Sequence, residues 1–199
     1  MQSEADQRAA VVAEARSWIR TPYHNCADIK GVGVDCGMLI VRVFVDTGLC
    51  PAFDPRPYPA DWHLHRSDER YLGFVFDRCA EVAEPQPGDV MVLRFGRCHS
   101  HGGIVTGFKP LSIVHAYFKA QRVLEEDIVR NSVLSDPARK PRFFSYWAKA
   151  SVALAPAAAP PTPRVLAANG GASAGAESNK TAPPREQGWR VGGSRGAEQ

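Results

Sequence analysis

The sequence has no apolar run long enough to cross a membrane as a helix. Nothing in its 199 residues approaches the roughly 18 consecutive apolar positions that a span needs. It also lacks a C-x-x-C pair, and its five cysteines (Cys26, Cys36, Cys50, Cys79, Cys98) are odd in number and scattered. A disulfide framework is therefore not expected, and at least one thiol is left over. There is no strong charge of either sign. A formal net charge of +3 and a pI near 8.7 are compatible with an anionic surface but too weak to argue for nucleic acid. The start, Met1-Gln2-Ser3-Glu4-Ala5-Asp6, lacks the basic and then apolar order of a signal peptide, so synthesis and folding in the cytoplasm are expected.

What is present suits one globular domain with an appendage. Hydrophobic residues make up 44% of the chain and charged residues 23%. From about residue 151 the composition turns to Ala, Pro, Gly and Ser, with Trp189 as the only aromatic. The expected division is a domain over 1–150 and a disordered tail over 151–199, which cannot bury enough apolar surface to offset chain entropy.

Within the domain the period changes partway along. Residues 5–19 carry an apolar stripe (Ala9, Val11, Val12, Ala15, Trp18, Ile19) that predicts a helix stopped by Thr21-Pro22. A second helix is expected from Cys36, capped by Asp35 and ended by Gly48, and a third from Ser67-Asp68-Glu69 with Leu72, Val75, Phe76 and Cys79 as its buried face. Short β-prone runs follow at 90–95, 103–108, 112–117, 123–126 and 143–147, separated by Gly, Pro and Lys. Helices first and an antiparallel meander afterwards argue an α+β fold. Residues 49–66 hold four prolines among Phe53, Tyr58 and Trp62, which predicts an ordered loop packed on the domain, or one wall of a cleft. His63 and His65 lie there, two apart, where an extended chain puts both on one side as a candidate metal pair.

The chemistry centres on Cys36 in Val34-Asp35-Cys36-Gly37-Met38, where a Gly-rich loop (Gly31, Gly33) runs into a helix. In the first turn, unpaired backbone N–H groups and the positive dipole end favour a thiolate over a thiol, whose free pKa is about 8.5. The other reading of Cys36 is a small buried apolar residue. A nucleophile needs a base, and the base needs a group to orient it. His101 and His115 lie in consecutive strands joined through Gly107-Phe108-Lys109-Pro110, so a hairpin brings them alongside each other. His101 is preferred over His99 because Gly102-Gly103 beside it permits close approach. A rival arrangement is a zinc site drawn from Cys98-His99-Ser100-His101 with His24 and Cys26, although its spacing fits no usual finger.

Five pieces in order resemble the NlpC-type peptidases of the papain-like superfamily, which cleave cell-wall peptides. They are Thr21-Pro22-Tyr23, Gly31-Val32-Gly33-Val34-Asp35-Cys36, Pro87-Gly88-Asp89-Val90, His101-Gly102-Gly103-Ile104-Val105 and Val114-His115-Ala116, spread over roughly residues 7–147. The wording from Lys30 to Cys36 is similar to the branch found in phage tails and gene-transfer particles. The resemblance implies a papain-like fold with N-terminal helices on a C-terminal antiparallel sheet of about five strands. It implies Cys36 as nucleophile, His101 as base and His115 as orienting residue, with Tyr23 and the Cys36 N–H near the oxyanion. It further implies hydrolysis of a γ-D-glutamyl-diaminopimelate type bond in peptidoglycan stem peptides, with no cofactor or metal. The implied partners are the cell-wall peptide and phage-tail proteins, with no nucleic acid and no membrane, and the implied place of action is a tail or particle.

The sequence departs from that pattern at Gly37-Met38, where the family usually has Ser or Ala followed by Gly, at His24-Asn25-Cys26, and in the loop 49–66. A non-catalytic tail-assembly module with the same fold is the alternative that the Gly37 departure and the long appended tail keep open.

Overall fold

The computed structural model describes residues 2–59, 64 and 67–154. The expectations of a metal pair at His63 and His65 and of a disordered tail lie outside the described residues. Among those described, no helix is long and apolar enough to cross a membrane.

Helix α1 (Glu4–Ser17) begins at a capping box: the Ser3 hydroxyl accepts from the Asp6 N–H, and the Asp6 carboxylate accepts from the Ser3 N–H at 3.2 Å. It stops two residues before the expected end, with Trp18 as C-cap and Arg20 in the left-handed region at φ 77°. Val11, Val12, Ala15 and Trp18 are buried, whereas Ala9 and Ile19 are exposed. The helical stripe is thus narrower than the apolar count predicts.

Two short strands, β1 (Asp28–Ile29) and β2 (Gly33–Val34), form a small antiparallel ladder ahead of α2 (Cys36–Asp46). Asp35 caps α2 by accepting the Met38 N–H at 2.8 Å, and Gly48 at φ 73° follows its end, as the sequence predicts. The third helix, α3 (Arg70–Phe76), starts later than expected, because neither Ser67 nor Asp68 belongs to it and its N-cap Glu69 makes no capping bond. Leu72 and Val75 are buried there, and Cys79 just beyond, but Phe76 is 41% exposed rather than part of the core.

The sheet is antiparallel and has six strands, one more than expected. They are β3 (Ala80–Val82), β4 (Val90–Phe95), β5 (Cys98–Phe108), β6 (Leu111–Tyr117), β7 (Arg122–Asp127) and β8 (Arg142–Ser145), in the order β3-β8-β4-β5-β6-β7. The additional strand, β3, is three residues long and pairs with β8 at an edge, too short for alternation to reveal it. The run 143–147 was expected to be all strand, but α4 (Tyr146–Leu154) begins inside it, where the Ser145 hydroxyl accepts the Ala148 N–H at 3.4 Å. That helix also runs past the boundary expected at residue 150.

The period-2 alternation of β4 shows why both faces of the sheet are apolar. Val90 and Val92 belong to a core that α1, α2 and α3 cover with Val11, Trp18, Leu39, Val43 and Leu72. Met91 and Leu93 belong to a second core with Val105, Ile113, Ile128 and Leu134. Tertiary ties hold α1 to the sheet: the Arg8 guanidinium donates to Asp89 Oδ1 at 2.9 Å and to Pro87 O at 3.0 Å, and lies 4.0 Å from the centre of a Trp147 ring. The Pro87-Gly88-Asp89 turn is therefore an anchor as well as a strand start.

Candidate active site

A cavity of about 700 Å³ brings together Tyr23, Cys36, Tyr58, Tyr71, His101 and Tyr117. Residues from the N-terminal loop, from α2, α3 and α4 and from the sheet all reach it, and so does the proline-rich segment through Phe53, Pro55 and Tyr58. That segment forms a wall of the cleft, as the second of its two sequence readings had it.

The histidine half is built by strand register. Ile104 pairs with Val114 and Val105 with Ile113, so the hairpin of β5 and β6 returns His115 beside Gly103, two residues from His101. A Cβ on Gly103 would stand 2.7 Å from Val114 O and 2.9 Å from the His115 Cβ, so the absence of a side chain is what lets these strands close up. His101 Nε2 and His115 Nδ1 are 2.8 Å apart, and both rings are buried. His115 Nε2 lies 2.8 Å from Glu126 Oε1, and Asn131 Nδ2 donates to both Glu126 oxygens at 3.0 and 3.2 Å.

This chain settles the tautomers. The His115 hydrogen bond holds the Glu126 carboxyl below its ordinary pKa against the opposing effect of burial, so Glu126 is a carboxylate that only accepts. With the His115 ring neutral, Nε2 donates to Glu126, Nδ1 accepts, and His101 donates through its own Nε2. The His101 Nδ1 lone pair is left as the basic site. Burial above all depresses the His101 pKa well below 6.5, so the ring stays neutral.

His99 is not part of this chain. β5 does begin early, at Cys98, but Leu93 pairs with His101 while Arg94 pairs with His99, which makes Ser100 an extra, bulged residue. Leu93 and Arg94 point to opposite faces, so His99 and His101 do too. His99 instead meets α3: its N–H donates to Glu69 Oε2 at 2.8 Å, its Nδ1 lies 3.1 Å from Glu69 Oε1, and its Nε2 lies 3.1 Å from Lys140 O.

The cysteine half differs from expectation. Cys36 occupies the first position of α2, and the backbone N–H groups of Gly102, Cys36 and Gly37 favour its thiolate. Burial, first, and the adjacent Asp35 carboxylate, second, outweigh them and push the thiol up to about 12. A preformed thiolate at the helix start is thus corrected to a neutral thiol. Its sulfur lies 3.7 Å from Ser100 O, and among the described residues it makes no hydrogen bond to His101. Asp35 is 2% exposed and fully engaged: Oδ2 accepts the Cys26 N–H at 2.7 Å, and the Tyr58 hydroxyl donates to both oxygens at 3.1 and 2.9 Å. Burial nonetheless raises its pKa.

Tyr23 is held by a bridge to Val34 and by its N–H, which donates to Gln121 O at 3.0 Å. Its ring packs edge-on against Phe118, and burial raises its hydroxyl pKa, so it remains a neutral donor at the cleft. Gly37 leaves room for a methyl group: a Cβ there would lie 3.5 Å from the Tyr58 hydroxyl and 3.6 Å from Asp35 Oδ1, which are ordinary contacts.

The alternative zinc ligands do not converge. His101 is bonded to His115 and His99 to Glu69, while Cys26 Sγ donates to Tyr58 O at 3.2 Å. Among the described residues no group of three or more His, Cys, Asp or Glu side chains is placed to hold a metal ion.

Sequence reasoning missed Glu126, Asn131, Tyr71 and Glu69, and reached Tyr58 only as part of a segment that could wall a cleft. A signal existed for Glu126 alone. Two consecutive acids in a strand face opposite sides, and here Glu125 pairs with Arg16 of α1 at 2.8 Å while Glu126 turns to His115. The others depend on loop and helix placement that no local pattern carries.

No family model and no curated protein matches the chain. Solved structures are similar in outline. The NlpC/p60 domain of the peptidoglycan hydrolase SagA is 21% identical, with a TM-score of 0.47 over 69% of this chain and 97% of that one. NlpC1 from Trichomonas vaginalis is 16% identical, with a TM-score of 0.44 over 65% of this chain and 42% of that one. An N-acetylmuramoyl-L-alanine amidase from Bacteroides uniformis is 12% identical, with a TM-score of 0.45 over 70% of this chain and 98% of that one.

Proposed function

We propose that this protein is a cysteine peptidase that hydrolyses an amide bond in bacterial cell-wall peptides. The observation that carries this reading is the ordered chain His101–His115–Glu126, whose tautomers leave one basic nitrogen in the same cleft as a cysteine at a helix N-terminus. In the proposed reaction the Cys36 thiol loses its proton to His101 Nδ1 as the sulfur attacks the substrate carbonyl. His115 and Glu126 stabilise the resulting imidazolium by accepting through Nδ1 and spreading the charge along the chain. The N–H of Cys36 and the Tyr23 hydroxyl receive the developing oxyanion. Protonated His101 returns its proton to the leaving amine, and water then hydrolyses the thioester with His101 again as base.

The neutral resting pair fits this scheme, because the proton moves only when substrate is present. The finer assignment, a γ-D-glutamyl-diaminopimelate type bond cleaved in a phage tail or gene-transfer particle, rests on the five motifs and on the wording from Lys30 to Cys36. Digestion of purified peptidoglycan, read as new amino groups and by mass of the released peptides, tests the proposal. Cys36→Ala should abolish release with the thermal midpoint retained, and His101→Ala should lower it by about 10²–10⁴-fold. A Cys36→Ala protein as active as the wild type would refute the mechanism.

A further inference from the structure

The hydroxyl of Tyr71 is a second unusual group in the cleft. It is buried against the Cys36 sulfur, toward which it is placed to donate, but no hydrogen bond of full geometry satisfies it. A Cβ built on Gly102 would come within 2.6 Å of this oxygen, so the phenol has been brought down onto a bare stretch of β5. The Gly102 N–H, from the same stretch, is directed at the sulfur. A neutral thiol is a weak acceptor, whereas a thiolate accepts strongly and forms charge-assisted bonds. The donor therefore meets a strong acceptor in one state of the site only, the ionised one.

We propose that Tyr71 is a catalytic residue whose hydroxyl, together with the Gly102 N–H, donates to the Cys36 sulfur once His101 has taken its proton. The inference rests on the cysteine-nucleophile reading above and adds to it the group that receives the charge on sulfur. The balance is simple: the S–H bond breaks, the proton goes to His101 Nδ1, and Tyr71 keeps its own proton throughout. Burial raises the Tyr71 pKa well above 10, which suits a donor rather than an acid.

The fold also supplies the means of holding Tyr71 there. Helix α3, which carries it, is clasped at Glu69 by the backbone and ring of His99. His99 lies on β5, the strand that carries His101 and Gly102. One strand thus positions the base, a donor and the helix of the second donor.

The test needs no peptide substrate. The rate of Cys36 alkylation by iodoacetamide, located by mass spectrometry, is followed between pH 6 and 10 in the wild type and in Tyr71→Phe. Removing the donor should make the thiolate harder to form by the equivalent of about one pKa unit, read below the thiol's midpoint as a slower rate at every pH. Because a more basic thiolate is also more nucleophilic, alkylation at pH 8 should slow by about three- to tenfold. The thermal midpoint should stay the same or rise, since the variant removes only an unpartnered buried hydroxyl. Alkylation of Tyr71→Phe at the wild-type rate, or faster, overturns the proposal. Tyr71-dependent alkylation without release of any peptide from peptidoglycan removes the cell-wall substrate and leaves Tyr71's role standing. Peptide release by the wild type with an unchanged Tyr71→Phe alkylation profile does the reverse.

Discussion

The two halves of the cleft are organised in opposite ways. On the sheet side His101, His115, Glu126 and Asn131 form an unbroken line of hydrogen bonds, each near 3 Å. On the helix side Cys36 is a neutral, crowded thiol beside a carboxylate, with an idle hydroxyl against it. Strands explain the first: antiparallel register repeats every two residues, so a few side chains can be locked in line at little cost. The second is assembled from a helix start, a proline-rich loop and a short helix, whose side chains converge from different directions. The lesson is that the base is prepared in advance, while the nucleophile is held uncharged until it is used.

Four experiments would break or sharpen that contrast. The largest expected effect is on the sheet side. His115→Ala removes both the orienting bond and the link to Glu126, and should lower peptide release at pH 7 by about 10²-fold or more, read as kcat with KM little changed. The same half carries a pH signature. His101 is held neutral in the fold but binds a proton in the unfolded chain near pH 6.5, so the unfolded state gains protons first and stability falls as pH drops below roughly that value. Thermal midpoints between pH 7.5 and 5 should fall less in His101→Ala than in the wild type. An equal fall in both would mean that this half is not held neutral.

A smaller effect is expected on the helix side. Asp35→Asn keeps an N-cap oxygen for the Met38 N–H but removes the charge that raises the Cys36 thiol. Alkylation of Cys36 at pH 8 should accelerate severalfold, while the lost acceptor for the Cys26 N–H should cost stability on the order of 1 kcal/mol. Slower alkylation would mean that Asp35 supports the thiolate instead of opposing it. The smallest effect concerns Gly37. Alanine fits there without a clash and restores helix propensity, so Gly37→Ala should raise stability by roughly 0.5–1 kcal/mol in denaturant unfolding. A loss of stability would show that the cleft wall needs the glycine.

Much of the fold could be read residue by residue. The capping of α2 by Asp35 and its end before Gly48 follow from local chemistry, and the central strands follow from β-prone runs between turn residues. The failures have a common form. The run from Phe143 to Trp147 changes from strand to helix at Tyr146, and β3 is three residues at an edge; neither carries enough period to declare itself. Phe76 satisfies a helical stripe yet is exposed, because the inward face of α3 is centred on Leu72 and Val75 and Phe76 sits at its border.

What the sequence by itself determined is the set of local commitments: the cysteine at a helix start, two histidines in strands joined by one hairpin, and the glycines that let that hairpin close. Those depend on neighbours within a few residues, which a chain specifies directly. Only the tertiary structure decided that Glu126 completes the histidine line, that Tyr58 and Tyr71 close over Cys36, and that the thiol rests neutral. The physical reason is that ionisation depends on everything that displaces water around a group. The helix start favours the thiolate from within α2, but the segments that crowd Cys36 come from elsewhere in the chain, and their desolvation is the larger effect.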